Sequence, residues 1–249
     1  MTVKQTLLVI VGTSLLLSAC TLSEATRKQA SYHYQMGLSF LGENNVTRAL
    51  VEFSEAEKIT PEDPELLNYL GLTYYYKKKY ELAEPKYLKA LQLKPEYSEA
   101  RNNLGVNYLE MRRWDDAILQ FQKVAEDLFY QSPEFALINQ GIAYNGKGDY
   151  PKALAILRTV VSNYPRVPQG RLNLGKTYFA MGKSELAVQE YLAALELAKD
   201  YADAHYNLAL AWLKLKNHPA AQAAFREVIR IAPDSEKGQL AKEYLNALR

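Results

Sequence analysis

Apolar residues recur along this chain in paired stripes. Within a stripe they fall three and four residues apart, the spacing of one face of a helix. A few polar residues separate the two stripes of a pair, and the pattern then begins again. Its small residues set the phase: Gly37, Gly71, Gly105, Gly141, Gly175 and Ala209, spaced 34, 34, 36, 34 and 34 apart. An aromatic follows each three residues on: Phe40, Tyr74, Tyr108, Tyr144, Tyr178 and Trp212. Alanine follows at twelve (Ala49, Ala83, Ala117, Ala153, Ala187, Ala221) and a large apolar residue at sixteen (Phe53, Tyr87, Phe121, Leu157, Tyr191, Phe225). Pro61, Pro95, Pro165 and Pro233 close four of the units, and Gly148-Asp149 and Gly182 punctuate two of them internally. A two-helix unit of this length cannot bury its apolar face alone, so the pattern predicts an all-α stack of neighbours.

The pattern resembles the tetratricopeptide repeat. Six units are placed at 30–63, 64–97, 98–133, 134–167, 168–201 and 202–235, with a capping helix at 236–249 that carries Leu240, Ala241, Tyr244, Leu245 and Leu248. The small residue at the eighth position is expected to let helix A approach the alanine at position twenty of helix B, with aromatics filling the space beside them. Pro85 inside a helix B is expected to bend it or shift its start. In this fold helix A of each unit lines a concave face with its second, fifth, ninth and twelfth positions. Those positions are Tyr34, Leu38, Leu72, Tyr75, Val106, Leu109, Phe135, Ile138, Ile142, Leu172, Phe179, Tyr206, Leu210 and Leu213, interrupted by Asn68, Asn102 and Lys176. They form the candidate partner-binding groove, suited to an amphipathic helix or an extended apolar segment. Phe135 and Ile138 are the first choices for anchors. Asn103, Asn139, Asn173 and Asn207 are read as structural amides that pair with the backbone of the next repeat.

The third unit departs from the rest. It is two residues too long and ends Leu128-Phe129-Tyr130-Gln131-Ser132-Pro133. This segment reads either as a tolerated loop insertion or as a ledge for a partner built from Phe129, Tyr130 and Pro133. With Glu134, Asn139 and Gly141, the residues Tyr130 and Pro133 match a stretch that lengthens the third repeat in bacterial type IV pilus biogenesis/stability lipoproteins, the PilF/PilW group. The chain resembles that group. The resemblance implies a pilotin: a six-repeat outer-membrane lipoprotein that escorts the secretin, the ring through which the pilus leaves the cell.

The first residues fit the same picture. Residues 1–19 carry one charge, Lys4, and an interrupted apolar run, Leu7 to Val11 and Leu15 to Leu17. That run is short for a transmembrane helix and fits a signal peptide. Leu17-Ser18-Ala19-Cys20 resembles a lipobox, which makes Cys20 the expected lipidation site, acylated and attached to the membrane. Residues 20–29 are expected to be a lipidated tether. Thr21, where an Asp would mark retention at the inner membrane, points to the outer membrane facing the periplasm. Cys20 is the only cysteine, so no internal disulfide can form and stability must come from packing.

Charge adds little. Lys and Arg number 30 against 28 acidic residues, so no strongly basic domain points to nucleic acid. The turns within repeats gather Lys77, Lys78, Lys79, Arg112, Arg113, Lys147, Lys183, Lys214 and Lys216 on one edge. The turns between repeats gather Glu62, Asp63, Glu96, Glu126, Asp127, Asp200 and Asp234 on the other. His33 and His205 fall at packing positions of distant repeats, and His218 lies in a turn, so no metal or proton relay is expected. No HExxH, GxSxG or CxxC spacing occurs. The sequence reads as a cofactor-free binding protein rather than an enzyme. Its leading partner is a secretin subunit or another pilus or envelope component. The alternatives are an envelope adaptor that recruits peptidoglycan hydrolases or proteases and, remotely, an unrecognised hydrolase.

Overall fold

A computed structural model describes residues 23–248. The expected signal peptide and Cys20 lie outside the described residues. Those that are described form thirteen helices in six antiparallel pairs and a cap: α1 (Glu24–Gly42) with α2 (Val46–Ile59), α3 (Pro64–Tyr76) with α4 (Tyr80–Leu93), α5 (Ser98–Glu110) with α6 (Trp114–Ala125), α7 (Pro133–Lys147) with α8 (Tyr150–Asn163), α9 (Pro168–Ala180) with α10 (Ser184–Leu197), α11 (Ala202–Lys214) with α12 (His218–Ile231), then α13 (Glu236–Ala247). The tether is shorter than expected. Ser23 accepts a hydrogen bond from the N–H of Thr26 and caps α1, so residues 24–29 are helical. Helix α4 runs through Pro85 and starts at Tyr80, so the proline does not shift its start to a later turn.

Six equivalent turns join the helices within pairs. In each, one turn residue takes positive φ, directly after the first helix at Gly148 and one residue later at Asn44, Lys78, Arg112, Gly182 and Lys216. The next N–H then reaches back to the carbonyl of the aromatic at the repeat's eleventh position, as in Asn45 to Phe40, Lys79 to Tyr74 and Asn217 to Trp212. This is the αL helix stop that satisfies the last carbonyls. Four of the six use a residue other than glycine in that conformation, which is why glycine marked only two turns in the sequence.

Packing within a pair is tighter than the sequence implied, and it falls elsewhere. A Cβ placed on Gly37, Gly71, Gly105 or Gly175 would come 2.5–2.6 Å from the ring of Phe53, Tyr87, Phe121 or Tyr191. On Gly141 it would meet Leu157 at 2.7 Å. The eighth-position glycine therefore makes room for the large residue at position twenty-four, and the position-twenty alanines are fully buried around that contact. Asn103 bonds Asn68 of the preceding repeat at 3.0 Å, while Asn173 and Asn207 bond carbonyls of their own helices. None of these three amides reaches the backbone of the next repeat.

The first helix of each repeat from α3 onward also packs against the first helix of the repeat that follows, as far as α13. These helices lie on the inner side of the curved stack and form the floor of its concave face. Helix α13 covers the open end. Its Ala241 is buried, and Tyr244 stacks on Phe225 with centroids 4.9 Å apart. A terminal apolar face is thereby closed, as stacked repeats require.

Candidate partner-binding groove

The groove runs along α1, α3, α5, α7, α9 and α11. Tyr34, Leu38, Leu72, Tyr75, Asn102, Val106, Leu109, Ile142, Lys176, Phe179, Tyr206, Leu210 and Leu213 are half-buried, and Phe135 is exposed at the start of α7. Ile138 and Leu172 are not available to a partner, and Asn68, though buried, lines a pocket between the second and third repeats. All three are buried between repeats, with Ile138 only 3% exposed. Of the two residues expected to lead as anchors, Phe135 alone can act as one. The burial belongs to the repeat position: Asn68, Ile138 and Leu172 all stand at the fifth position of their repeats, and each is buried there.

Aromatic packing uses part of the groove internally. Tyr34 sits 6.0 Å from Phe53 and 5.9 Å from Tyr69, ring centroid to centroid. Tyr75 sits 5.6 Å from Tyr80. Burial pushes the Tyr75 hydroxyl up to about 12, with Glu110 adding to the shift. Lys176 is the one groove cation. Burial lowers its pKa, Asp203 opposes that shift, and Asp203 is itself engaged by Lys237.

Between the second and third repeats the groove deepens into a pocket of about 240 Å³. Asn68, Tyr69, Leu72, Tyr97, Glu99, Asn102, Asn103 and Tyr130 line it. Asn68 donates to the Tyr97 hydroxyl at 3.3 Å, and Asn103 donates to Asn68 at 3.0 Å. The Oδ1 of Asn102 is buried there with no hydrogen-bond partner among the described residues. This part of the groove is mixed, with amides and Glu99 set among Leu72 and three tyrosine rings. The sequence reading passed over Tyr97, which stands at the last position of its repeat. Tyr201 stands at the same position three repeats later, so a recurring tyrosine at the junction was the available signal. Burial raises both, to about 12.

The lengthened loop divides its three apolar residues. Tyr130 turns inward and forms a wall of this pocket, and burial raises its hydroxyl pKa. Leu128 and Phe129 turn outward and are 94% and 93% exposed. Pro133 opens α7 at its first position, where a missing N–H costs nothing. The expected ledge of Phe129, Tyr130 and Pro133 is thus one exposed residue, one pocket wall and one helix start.

The charged edges are less free than composition suggested. The Arg113 guanidinium binds Glu84 at 2.8 Å and Asp116 at 2.7 Å, and it lies over the Tyr108 ring. Lys147 pairs with Asp115 at 2.5 Å. His33 contacts Glu52 at 2.8 Å, and the His205 ring contacts the carbonyl of Lys199. Among the described residues no group of three or more His, Cys, Asp or Glu is placed to hold a metal, and no helix is long and apolar enough to cross a membrane.

Family models for the tetratricopeptide repeat match residues 64–97 and, in three overlapping segments, residues 102–236. These matches cover more than half of the chain, which belongs to the tetratricopeptide-repeat family. It is a helical-repeat scaffold of the protein-binding class. Among solved structures it is similar to PilW, a widely conserved type IV pilus biogenesis factor, with TM-score 0.75 and 21% identity over 89% of this chain and 100% of that one. PilF of Pseudomonas aeruginosa gives TM-score 0.67 and 18% identity over 89% of this chain and 100% of that one. Superkiller complex protein 3 of Mus musculus is 22% identical over 85% of this chain, which spans only 14% of that protein's length. At these identities the likeness is one of fold.

Proposed function

We propose that this protein is a lipid-anchored scaffold of the outer membrane, facing the periplasm, that binds a secretin subunit and promotes assembly of the type IV pilus secretin. The observation that carries the reading is one of extent. The six-repeat array here coincides with the whole of PilW and the whole of PilF. Superkiller complex protein 3 contains a similar stretch as 14% of its length, while a tetratricopeptide-repeat protein of Parabacteroides merdae shares the extent under a name that mentions no pilus. Two features of the chain support it further. The lipobox-like Leu17-Ser18-Ala19-Cys20 precedes the array. The lengthened third repeat carries Tyr130, which shapes the central pocket of the groove.

In this reading the acyl chains on Cys20 hold the scaffold at the membrane, and the groove takes an extended segment of the secretin subunit. Phe135 and Tyr75 contact its apolar side chains. Lys176 meets an acidic group of that segment. No step requires a cofactor or a metal.

The test is a count of heat-resistant secretin multimers in cells. Deleting the protein should remove them, and Cys20→Ala should both abolish labelling by a fatty-acid analogue and strand the multimers away from the outer membrane. Normal multimers in the deletion strain would reject the reading.

A further inference from the structure

The pocket between the second and third repeats has the chemistry of a site for one basic side chain. At about 240 Å³ it is below the roughly 300–1,000 Å³ of sites that enclose a drug-sized ligand, so it suits a single side chain of a longer segment. Tyr69, Tyr97 and Tyr130 supply its rings, and among the described residues Glu99 is the one charged group that lines it. The walls are set before anything binds. Asn68 is only 4% exposed; it accepts from the Asn103 amide at 3.0 Å and donates to the Tyr97 hydroxyl at 3.3 Å. The Tyr130 N–H donates to the Asp127 carbonyl at 3.3 Å, which fixes the lengthened loop beside the pocket. A site held in this way has already met much of the ordering cost of binding.

The charge that reaches these rings from the groove is negative. Glu99 is exposed, and among the described residues it forms no ion pair. Burial is the first cause that raises the Tyr97 and Tyr130 hydroxyls; Glu65 and Glu99 add to the rise at Tyr97, and Glu99 and Glu134 to that at Tyr130. Lys94 lies over the Tyr97 ring, 4.6 Å from its centroid, and is not among the residues that line the pocket. A carboxylate beside tyrosine rings suits a guanidinium, which stacks on aromatic rings and binds a carboxylate through two parallel hydrogen bonds. An acidic side chain would be repelled there, and an aliphatic one would gain the rings but nothing from Glu99.

We propose that this pocket takes an arginine side chain of the segment bound in the groove, with the guanidinium on Glu99 and among the rings of Tyr69, Tyr97 and Tyr130. This deepens the groove reading above and rests on the secretin reading only for the source of that arginine.

The experiment has two arms, each run on the purified wild-type protein and on Glu99→Gln. That variant should keep its melting temperature, because Glu99 is exposed and unpaired. In the first arm N-acetyl-arginine amide is titrated while the side-chain amide resonances of Asn68 and Asn103 are followed by NMR. The probe should shift them saturably, and N-acetyl-citrulline amide, which has the same shape without the charge, should not. Glu99→Gln should weaken the arginine probe about fivefold, the upper end for an exposed ion pair. In the second arm the purified secretin subunit is titrated by calorimetry. Its affinity should fall by a similar factor in Glu99→Gln, and rising salt should weaken the wild type more steeply than the variant. No shift, or equal shifts by both probes, would overturn the pocket whatever the secretin does. Equal secretin affinity in the two proteins would overturn its use by the bound segment. Absence of secretin binding by the wild type, with the arginine probe still selective, would reject the secretin reading and support the pocket.

Discussion

Gly105 and Phe129 belong to the same repeat and meet opposite surroundings. A Cβ on Gly105 would stand 2.6 Å from Phe121, so the space there is already taken. Phe129 keeps 93% of its surface in solvent. The Gly105 contact recurs in four other repeats with only the ring or branch changed, whereas no other repeat has a counterpart of the Phe129 loop. Repetition serves the stack. One repeat buries its face only against its neighbours, and a contact that works once works at each step. The lengthened loop breaks that repetition at one place.

The largest expected effect breaks the interior. Phe121→Ala removes a fully buried ring from a contact shared by two helices and should cost about 3–5 kcal/mol in urea unfolding. The paired control, Leu128→Ser/Phe129→Ser, should stay within about 0.5 kcal/mol of wild type. A double variant that loses as much stability as Phe121→Ala would erase the distinction between interior and loop.

Alkaline pH comes next. Burial raises Tyr75, Tyr97, Tyr108 and Tyr201 to about 12. The unfolded chain loses those protons near pH 10, while the folded protein keeps them to higher pH. Their contribution is complete below about pH 10 and is lost as the pH rises towards 12. Unfolding free energy should therefore fall through this window, in step with tyrosinate absorbance. A flat profile would show that these rings are not held as the packing implies.

The smallest effect sharpens the comparison. The hydroxyls of Tyr87 and Tyr191 are buried without hydrogen-bond partners among the described residues, where other repeats place Phe or Leu. Tyr87→Phe removes an unsatisfied polar group and should raise stability by about 1 kcal/mol. A loss of that size in melting experiments would mean that the hydroxyl has a role in the stack.

The all-helical stack was legible because its signal is periodic. Glycine, aromatic and alanine recur at fixed offsets, and each offset corresponds to a contact repeated along the molecule. The repeat placed the turns, but their positive φ was legible only where glycine marked it, since Lys78 and Arg112 take the same conformation without announcing it. The candidate site was legible in outline. A repeat position names the face a side chain starts on but not what its neighbours cover, and so Ile138 and Leu172 proved to be buried. The pocket below Tyr130 was not legible at all. It depends on how a two-residue insertion folds back over α5, and no other repeat in the chain offers a second example.

Binding by the groove is tested most directly by calorimetric titration of the purified protein with the purified secretin subunit. The account predicts saturable binding with a negative heat-capacity change, because apolar surface is buried. It also predicts that Tyr75→Ser/Phe135→Ser weakens the affinity at least about tenfold in a protein that remains folded. Absence of binding by the wild-type protein, or equal affinity in the folded variant, would contradict it.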